Sequence, residues 1–230
     1  MAKFLPGATI ADASGSVGGC VFSKNHYGGY IRRRVAPSHP YTEYTATVKA
    51  VFTAVTRNWS SLTDAQRLAW KTYSQNNPIT DRLGQRQILQ ANDVYVKLSS
   101  RLILAGDLAV STPPTTAAPS PVAGLAATFD IGAGDFEITW TSGAVGANNR
   151  LWVWAALVDS ASIINVKNRL RSLVISAKNQ ASPLNLETEM ADRFGTLQVG
   201  QKVIVLASIF DSTTGLISGP NRVEGLVTST

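Results

Sequence analysis

A proline-rich segment separates two parts of the chain in which hydrophobic residues recur at different intervals. The segment runs from Ser111 to Gly124 with four prolines and no large side chain, so we expect an extended, semi-rigid linker. Before it, apolar residues recur every three or four positions, as in helices. After it, they alternate at every second position, as in strands. The sequence therefore predicts two domains of different structural class.

Two helices within residues 42–73 organise the first part. One apolar stripe at helical spacing predicts the first helix and comprises Val48, Val51, Phe52, Val55 and Trp59. A second stripe comprises Leu62, Ala65, Ala69 and Tyr73, with Trp70 beside it. Thr63 and Gln66 fit a capping box, in which each side chain bonds the backbone N–H of the other residue. We expect two short helices joined by a tight turn, with Trp59 and Trp70 holding them together.

A β-hairpin precedes these helices and a third helix follows them. Strand-forming residues flank the turn-rich segment 25–29, which predicts the hairpin. Its second strand, expected over residues 30–35, places Tyr30, Arg32 and Arg34 on one face and Ile31, Arg33 and Val35 on the other. Residues 1–18 are expected to form an extended arm, and Pro37 and Pro40 to lead into the first helix. The third helix is expected over residues 85–105, with Gly106 ending it.

The part after the linker is expected to be an antiparallel β-sandwich. Alternation is clear in Phe136–Trp140 and Val203–Ile209, and Leu151–Val158 is a long apolar run. About seven short strands separated by turn signals are typical of an immunoglobulin-like or fibronectin-III-like sandwich. The predicted fold class is therefore α+β. Its domains are a hairpin-and-helix region at 1–110, a linker at 111–124 and a sandwich at 125–230.

Charge is distributed unevenly between the two parts. The net charge is +6. Residues 1–110 contain 13 Lys and Arg against 6 Asp and Glu, whereas residues 111–230 contain 8 against 9. A polyanionic partner would therefore contact the first part. The single cysteine, Cys20, excludes an intramolecular disulfide. No apolar run reaches the roughly 18–20 residues of a transmembrane helix, and the N-terminus does not look like a signal peptide.

Three stretches of the first part together resemble a known group of proteins. They are Gly18–Ser23 with Gly29–Arg34, Trp59–Trp70, and Asn92–Leu98 followed by Pro113 and Pro114. This layout resembles little-characterised virion proteins of tailed bacteriophages and prophages, some of which carry a fibronectin-like domain at the C-terminus. The resemblance implies a non-enzymatic structural component located in the virion and assembled in the host cytoplasm. Its implied partners are other virion proteins and copies of itself, with no cofactor and no membrane.

Arg32, Arg33 and Arg34 form the densest charge cluster and are the first candidate for binding a partner, together with Tyr30. They could bind acidic groups on a neighbouring protein subunit or the phosphates of nucleic acid. Alternatively, their charges protect the edge of a sheet from unwanted pairing. We expect docking of a partner protein, with a basic nucleic-acid-binding accessory protein as the alternative function.

Aromatic residues supply a second set of candidates, either as interface anchors or as core: Trp59, Trp70, Tyr73, Trp152 and Trp154. On the long strand, either the row with Trp152 and Trp154 or the row with Val153 lies inside. An outward tryptophan would allow a third function, that of a carbohydrate-binding module.

Residues typical of catalysis or metal binding do not form a recognisable pattern. His26 and His39 are interpreted as turn and loop residues, and no metal-ligand spacing is present. The glycines at 15–19 are not followed by the residues of a phosphate-binding loop. Glu187 and Glu189 are expected on a solvated strand face. We therefore expect no catalytic, metal or cofactor site, and no enzyme.

Overall fold

The protein is a mixed α+β chain with antiparallel sheets, as the sequence predicts, and its described part contains four helices where the sequence predicted three. The computed structural model describes residues 2–3, 13–36, 42–81, 83–141 and 143–229. Most of the expected N-terminal arm, and also Pro37, His39 and Pro40, lie outside these residues. The chain divides into two compact units, Met1–Lys97 and Leu98–Thr230.

A four-stranded antiparallel sheet occupies the start of the first unit. Its strands are β1 (Ala2–Lys3), β2 (Gly15–Val17), β3 (Cys20–Asn25) and β4 (Gly28–Arg33), in the order β1-β4-β3-β2. The hairpin between β3 and β4 turns at two residues, with Gly28 at a φ of +109° that side chains rarely adopt. The strand expected over residues 30–35 therefore begins and ends earlier. At Tyr30 and Ile31 it is an inner strand rather than an edge, because β1 pairs with both residues.

Three helices and a short hairpin follow the sheet. They are α1 (Glu43–Ser61), α2 (Asp64–Asn76), β5 (Ile79–Thr80), β6 (Arg86–Gln87) and α3 (Ala91–Leu104). The predicted capping box of Thr63 and Gln66 is present, and Thr42 with Thr45 forms another at the start of α1. The third helix begins six residues later than predicted, because residues 86–87 pair with β5 instead.

Helix α3 ends where the sequence predicts. Gly106 has a φ of +81°. Its N–H donates to the carbonyl of Ile103, and the N–H of Asp107 donates to the carbonyl of Leu102. This pattern is a Schellman motif, which satisfies the last carbonyls of the helix. The division between the two compact units falls inside α3, after Lys97, whereas the sequence placed the boundary at 111–124.

Two antiparallel sheets enclose the core of the second unit. The strands are β7 (Ala126–Asp130), β8 (Asp135–Thr139), β9 (Asn149–Val158), β10 (Arg171–Ile175), β11 (Leu184–Asn185), β12 (Lys202–Asp211) and β13 (Asn221–Leu226). One sheet has the order β10-β9-β12-β13 and the other β11-β8-β7. Buried side chains from both sheets, such as Phe136, Ile138, Val153 and Val205, form one core. Helix α4 (Glu187–Phe194) adds Met190 to it.

The end of the proline-rich segment belongs to this core. Val122 is buried with the sandwich residues, and its carbonyl accepts a hydrogen bond from the side chain of Asn221. The carbonyl of Ala123 accepts from the backbone N–H of Thr141 at 3.1 Å. Residues 122–123 are therefore fixed to the second unit, and the expected extended linker stops short of Gly124.

Candidate interaction surface

The first unit buries few hydrophobic side chains among its described residues. Those it buries are Val55, Leu62, Trp70, Val94 and Tyr95. The large hydrophobic residues it leaves exposed are more numerous: Val17, Val35, Tyr44, Phe52, Leu68, Ile79, Leu83 and Ile88. Phe52 was predicted to lie in the buried stripe of α1 but is 57% exposed. Burial of apolar side chains supplies most of the stability of a folded domain. Exposed apolar side chains in such numbers are typical of an interaction site, so we treat the first unit as the candidate interaction surface.

The four-stranded sheet is held at its turn end by polar side chains. The hydroxyl of Tyr27 bonds the carboxylate of Asp93 in the first turn of α3. The ammonium of Lys3 pairs with Asp81 at 2.8 Å and donates to Gln87 at 3.0 Å. The bond from Lys3 holds the pKa of Asp81 below its ordinary value, and backbone N–H groups of the 81–85 turn add to this effect. These contacts fix the turn end of the sheet to the helical part of the unit.

The opposite end of the sheet is exposed on both faces. Val17 pairs with Cys20, and Cys20 pairs with Arg33, so these three side chains share a face. Tyr30 and Arg32 lie on the other face, as the sequence predicts. Val17 is 71% exposed and Val35 is 66% exposed. We call the group Val17, Cys20, Arg32, Arg33, Arg34 and Val35 the open end of the sheet.

The open end combines positive charge with the outer edge of the sheet as the structure describes it. Arg32, Arg33 and Arg34 are exposed and form no ion pair with any other residue that the structure describes. Strand β2 lies at the edge of the sheet and pairs with β3 alone among the described strands. A free edge with apolar and cationic side chains can bind an extended, acidic segment of another chain.

The aromatic candidates of the first unit take part in packing. Tyr95 of α3 lies against both tryptophans, with its ring centroid 5.4 Å from that of Trp59 and 5.5 Å from that of Trp70. Tyr73 packs edge-on against Trp70 at 5.9 Å, and burial raises the pKa of its hydroxyl. Trp70 is fully buried, whereas Trp59 is half-buried. The expected clasp between the two tryptophans is therefore formed through Tyr95.

The two tryptophans of β9 lie in the outer row of their sheet. Val153, between them, is fully buried in the core. Trp152 and Trp154 stack on each other with centroids 4.9 Å apart and an interplanar angle of 18°. The indole N–H of Trp152 donates to Ser172 at 2.9 Å. Each ring thus offers one face to its neighbour, which leaves less flat surface for a sugar.

The residues considered for catalysis include one histidine and two glutamates that the structure describes, and it places them in a turn and a helix. The ring of His26 contacts that of Tyr27 edge-on at 5.1 Å in the β3–β4 turn. Glu187 and Glu189 belong to helix α4, so their expected placement on a strand is wrong. Within the described residues, no three His, Cys, Asp or Glu side chains are grouped to hold a metal ion. None of the described helices has the length and apolar composition needed to cross a membrane.

Sequence reasoning missed two parts of the surface. Strand β2 lies among the residues expected to form an arm, and its signal was only the alternation Ser16-Val17 between glycines. The anchoring of Tyr27 to Asp93 joins residues 66 positions apart, which no local pattern reveals.

The chain matches no protein-family model and no curated protein. Among solved structures, it is similar to an Fn3-like protein from Clostridium thermocellum, at 13% sequence identity and a TM-score of 0.29. That alignment covers 50% of this chain and 96% of the other. A TM-score of this size does not define a shared fold.

Proposed function

We propose that this protein is a non-enzymatic structural component of a bacteriophage virion that docks through its first unit. The observation that carries the proposal is the open end of the N-terminal sheet. There, exposed valines and three arginines without an ion-pair partner among the described residues lie beside the outer edge of β2, which no other described strand covers. Such a surface gains stability when a partner covers it, because apolar burial and ion pairing then act together. The layout of the first unit resembles that of phage virion proteins, and this resemblance supports the assignment to a phage particle.

The second unit is, in this proposal, an immunoglobulin-like or fibronectin-like sandwich that faces outward or packs on a sister copy. Its three-stranded and four-stranded antiparallel sheets and its buried core support this assignment.

Mass spectrometry of purified particles tests the proposal. If particles from the source strain contain peptides of this chain in fixed proportion to their other structural proteins, the proposal stands. If the chain is synthesised but remains in the soluble fraction without particles, the proposal is wrong.

Nucleic-acid binding is the second candidate, and one observation favours it. Tyr30 and Arg32 share a face of the sheet, which places a ring for base stacking beside a cation. If Arg32, Arg33 and Arg34 each neutralise one phosphate, the logarithm of the affinity should fall against the logarithm of the salt concentration with a slope of about −3. Binding would therefore weaken steeply as salt is added. Retention of DNA at about 0.15 M salt that is lost on replacing the three arginines would favour this candidate over docking of a protein.

A further inference from the structure

The second unit contains a cavity whose chemistry complements the open end of the sheet. The cavity measures about 330 Å³ and lies between the β7–β8 turn and α4. Its lining is mainly apolar and includes the buried Phe136 and the 40% exposed Ile131. Glu187 at the start of α4 also lines it. The cavity therefore offers an apolar recess beside a carboxylate.

The two segments that contribute most of the cavity lining are rich in carboxylates. Segments 130–137 and 187–194 contain six of the nine carboxylates that follow residue 110, against a single arginine: Asp130, Asp135, Glu137, Glu187, Glu189 and Asp192. Asp130 is buried and accepts hydrogen bonds from the backbone of Gly132 and Ala133. Glu187, by contrast, is exposed and forms no ion pair with another described residue. The field around the recess thus favours a cationic partner.

We propose that the open end of the sheet on one copy of this protein docks in the cavity of a second copy. This inference rests on the proposed function, because it names a partner of the same docking surface. In the contact, Val17 enters the apolar recess and Arg33 pairs with Glu187. Val17 and Arg33 share a face of the sheet and lie two strand spacings apart, about 10 Å. The recess and Glu187 of the second copy can therefore contact both side chains at once.

A second copy is the preferred occupant because the two complementary surfaces are carried by the same chain. Residues 1–110 hold the excess of positive charge, and the two segments that line the cavity hold six of the nine carboxylates in the remainder. The contact joins two different surfaces and is therefore heterologous, so successive copies associate head to tail into a ring or a filament.

Charge reversal in the full-length chain tests the pairing, with association measured by sedimentation velocity. We expect wild type to associate with rising concentration at about 0.15 M salt, where the Debye length is about 8 Å. Arg33→Glu and Glu187→Arg should each weaken association by about tenfold or more, as reversals of close interfacial charge pairs do. The chain that carries both reversals should recover most of the association, because it restores the pair in the opposite sense.

Matched controls separate this result from misfolding. Lys49→Glu makes the same charge change on an exposed position of α1 and should leave association unchanged. Melting curves of all variants should coincide with wild type, since Arg33 and Glu187 are exposed. Monomeric wild type at every concentration, or failure of the double reversal to restore association, would overturn the proposal.

Photo-crosslinking from Cys20 gives a second and independent readout. Cys20 is the only cysteine, is exposed, and lies between Val17 and Arg33 in the sheet register. A benzophenone attached to it should crosslink to peptides within 131–136 or 187–197, between isotopically light and heavy copies. Crosslinks to other regions, or only within one copy, would contradict the proposal. Incorporation into particles is measured separately. If the contact between two copies is not formed but the protein is still incorporated, the proposed function remains and only the pairing of Arg33 with Glu187 is wrong.

Discussion

At the scale of single residues, Trp70 rather than Trp59 is the packing centre of the first unit. Its ring is fully buried and contacts Tyr73 and Tyr95 edge-on. Trp70→Ala should lower the free energy of unfolding of this unit by roughly 3–5 kcal/mol, the usual cost of such a cavity. The change is measured by urea denaturation followed through helical circular dichroism. Leu68→Ala, two residues away and 63% exposed, is the control and should cost less than about 0.5 kcal/mol. Equal effects of the two substitutions would contradict the assignment of Trp70 to the core.

Gly215 is a residue whose importance lies in a close approach of backbone to backbone. It has a φ of +76°, and a Cβ added there would lie 2.6 Å from the carbonyl oxygen of Leu98 in α3. Gly200 has a similar φ of +88° but open space around it. Gly200→Ala should cost about 1–2 kcal/mol, the price of the left-handed conformation alone. Gly215→Ala should cost clearly more in thermal unfolding of the second unit. If the two variants melt at the same temperature, the short distance between Gly215 and the carbonyl of Leu98 does not restrict the residue at position 215.

At the scale of elements, an ion-pair network within the second unit joins the end of α3 to strand β9. Asp107 follows the helix and pairs with Arg150 at 3.1 Å and with Lys178 at 3.0 Å. Burial acts to raise the pKa of Asp107. The hydrogen bonds and charges of Arg150 and Lys178 outweigh burial and hold that pKa below its ordinary value of 3.8. The network therefore favours the ionised carboxylate in the folded state.

This shift predicts a dependence of stability on pH. A folded-state pKa below the unfolded one contributes stability that is complete above the unfolded pKa and is lost as the pH falls through the folded one. Asp107→Asn should therefore lower the melting temperature of the second unit at neutral pH. Below about pH 4, the melting temperature of this variant should fall less with decreasing pH than that of wild type. Asp192→Asn, an exposed position on α4, is the matched control and should keep the decline of wild type. Identical pH profiles for Asp107→Asn and wild type would show that the network does not stabilise the unit.

Elements were predictable from the sequence where local chemistry determines them. The capping box at Thr63 and the terminal Gly106 depend on residues within one turn, and both are present. Helix α4 was missed because it has only eight residues, and carboxylates at 187 and 189 fit strand alternation equally well. The available signal was Leu186 and Met190, four residues apart and both fully buried. Strand β1 was missed because its pairing with β4 joins residues that are distant in the chain.

At the scale of the whole molecule, the extent of the second unit was not readable from composition. The prolines of 111–124 predict an extended, semi-rigid linker, but the bond between Asn221 and the carbonyl of Val122 spans 99 residues and fixes the end of this segment to the second unit. The open end of the sheet was predictable in part. The arginines stand out as a charge cluster, whereas the contribution of Val17 depends on the three-dimensional pairing of β2.

The extent of the second unit can be measured with two fragments. Residues 98–230 retain Asp107 and Val122, whereas residues 123–230 lack both. Each should show cooperative unfolding and a β-type circular dichroism spectrum, but the longer fragment should melt at a clearly higher temperature. A disordered shorter fragment would mean that the sandwich needs the preceding segment to fold. Equal melting temperatures would show that residues 98–122 add no stability.

The central claim, that the protein docks in a particle through the open end of its N-terminal sheet, is tested most directly by particle incorporation. Wild type and the variant with Arg32, Arg33 and Arg34 all replaced by alanine are supplied at equal levels to cells producing particles that lack the native copy. Purified particles are then quantified by mass spectrometry. Because the three side chains are exposed, the variant should melt like wild type. We predict that wild type is incorporated and that the variant is largely absent from particles; equal incorporation of a folded variant would contradict the claim.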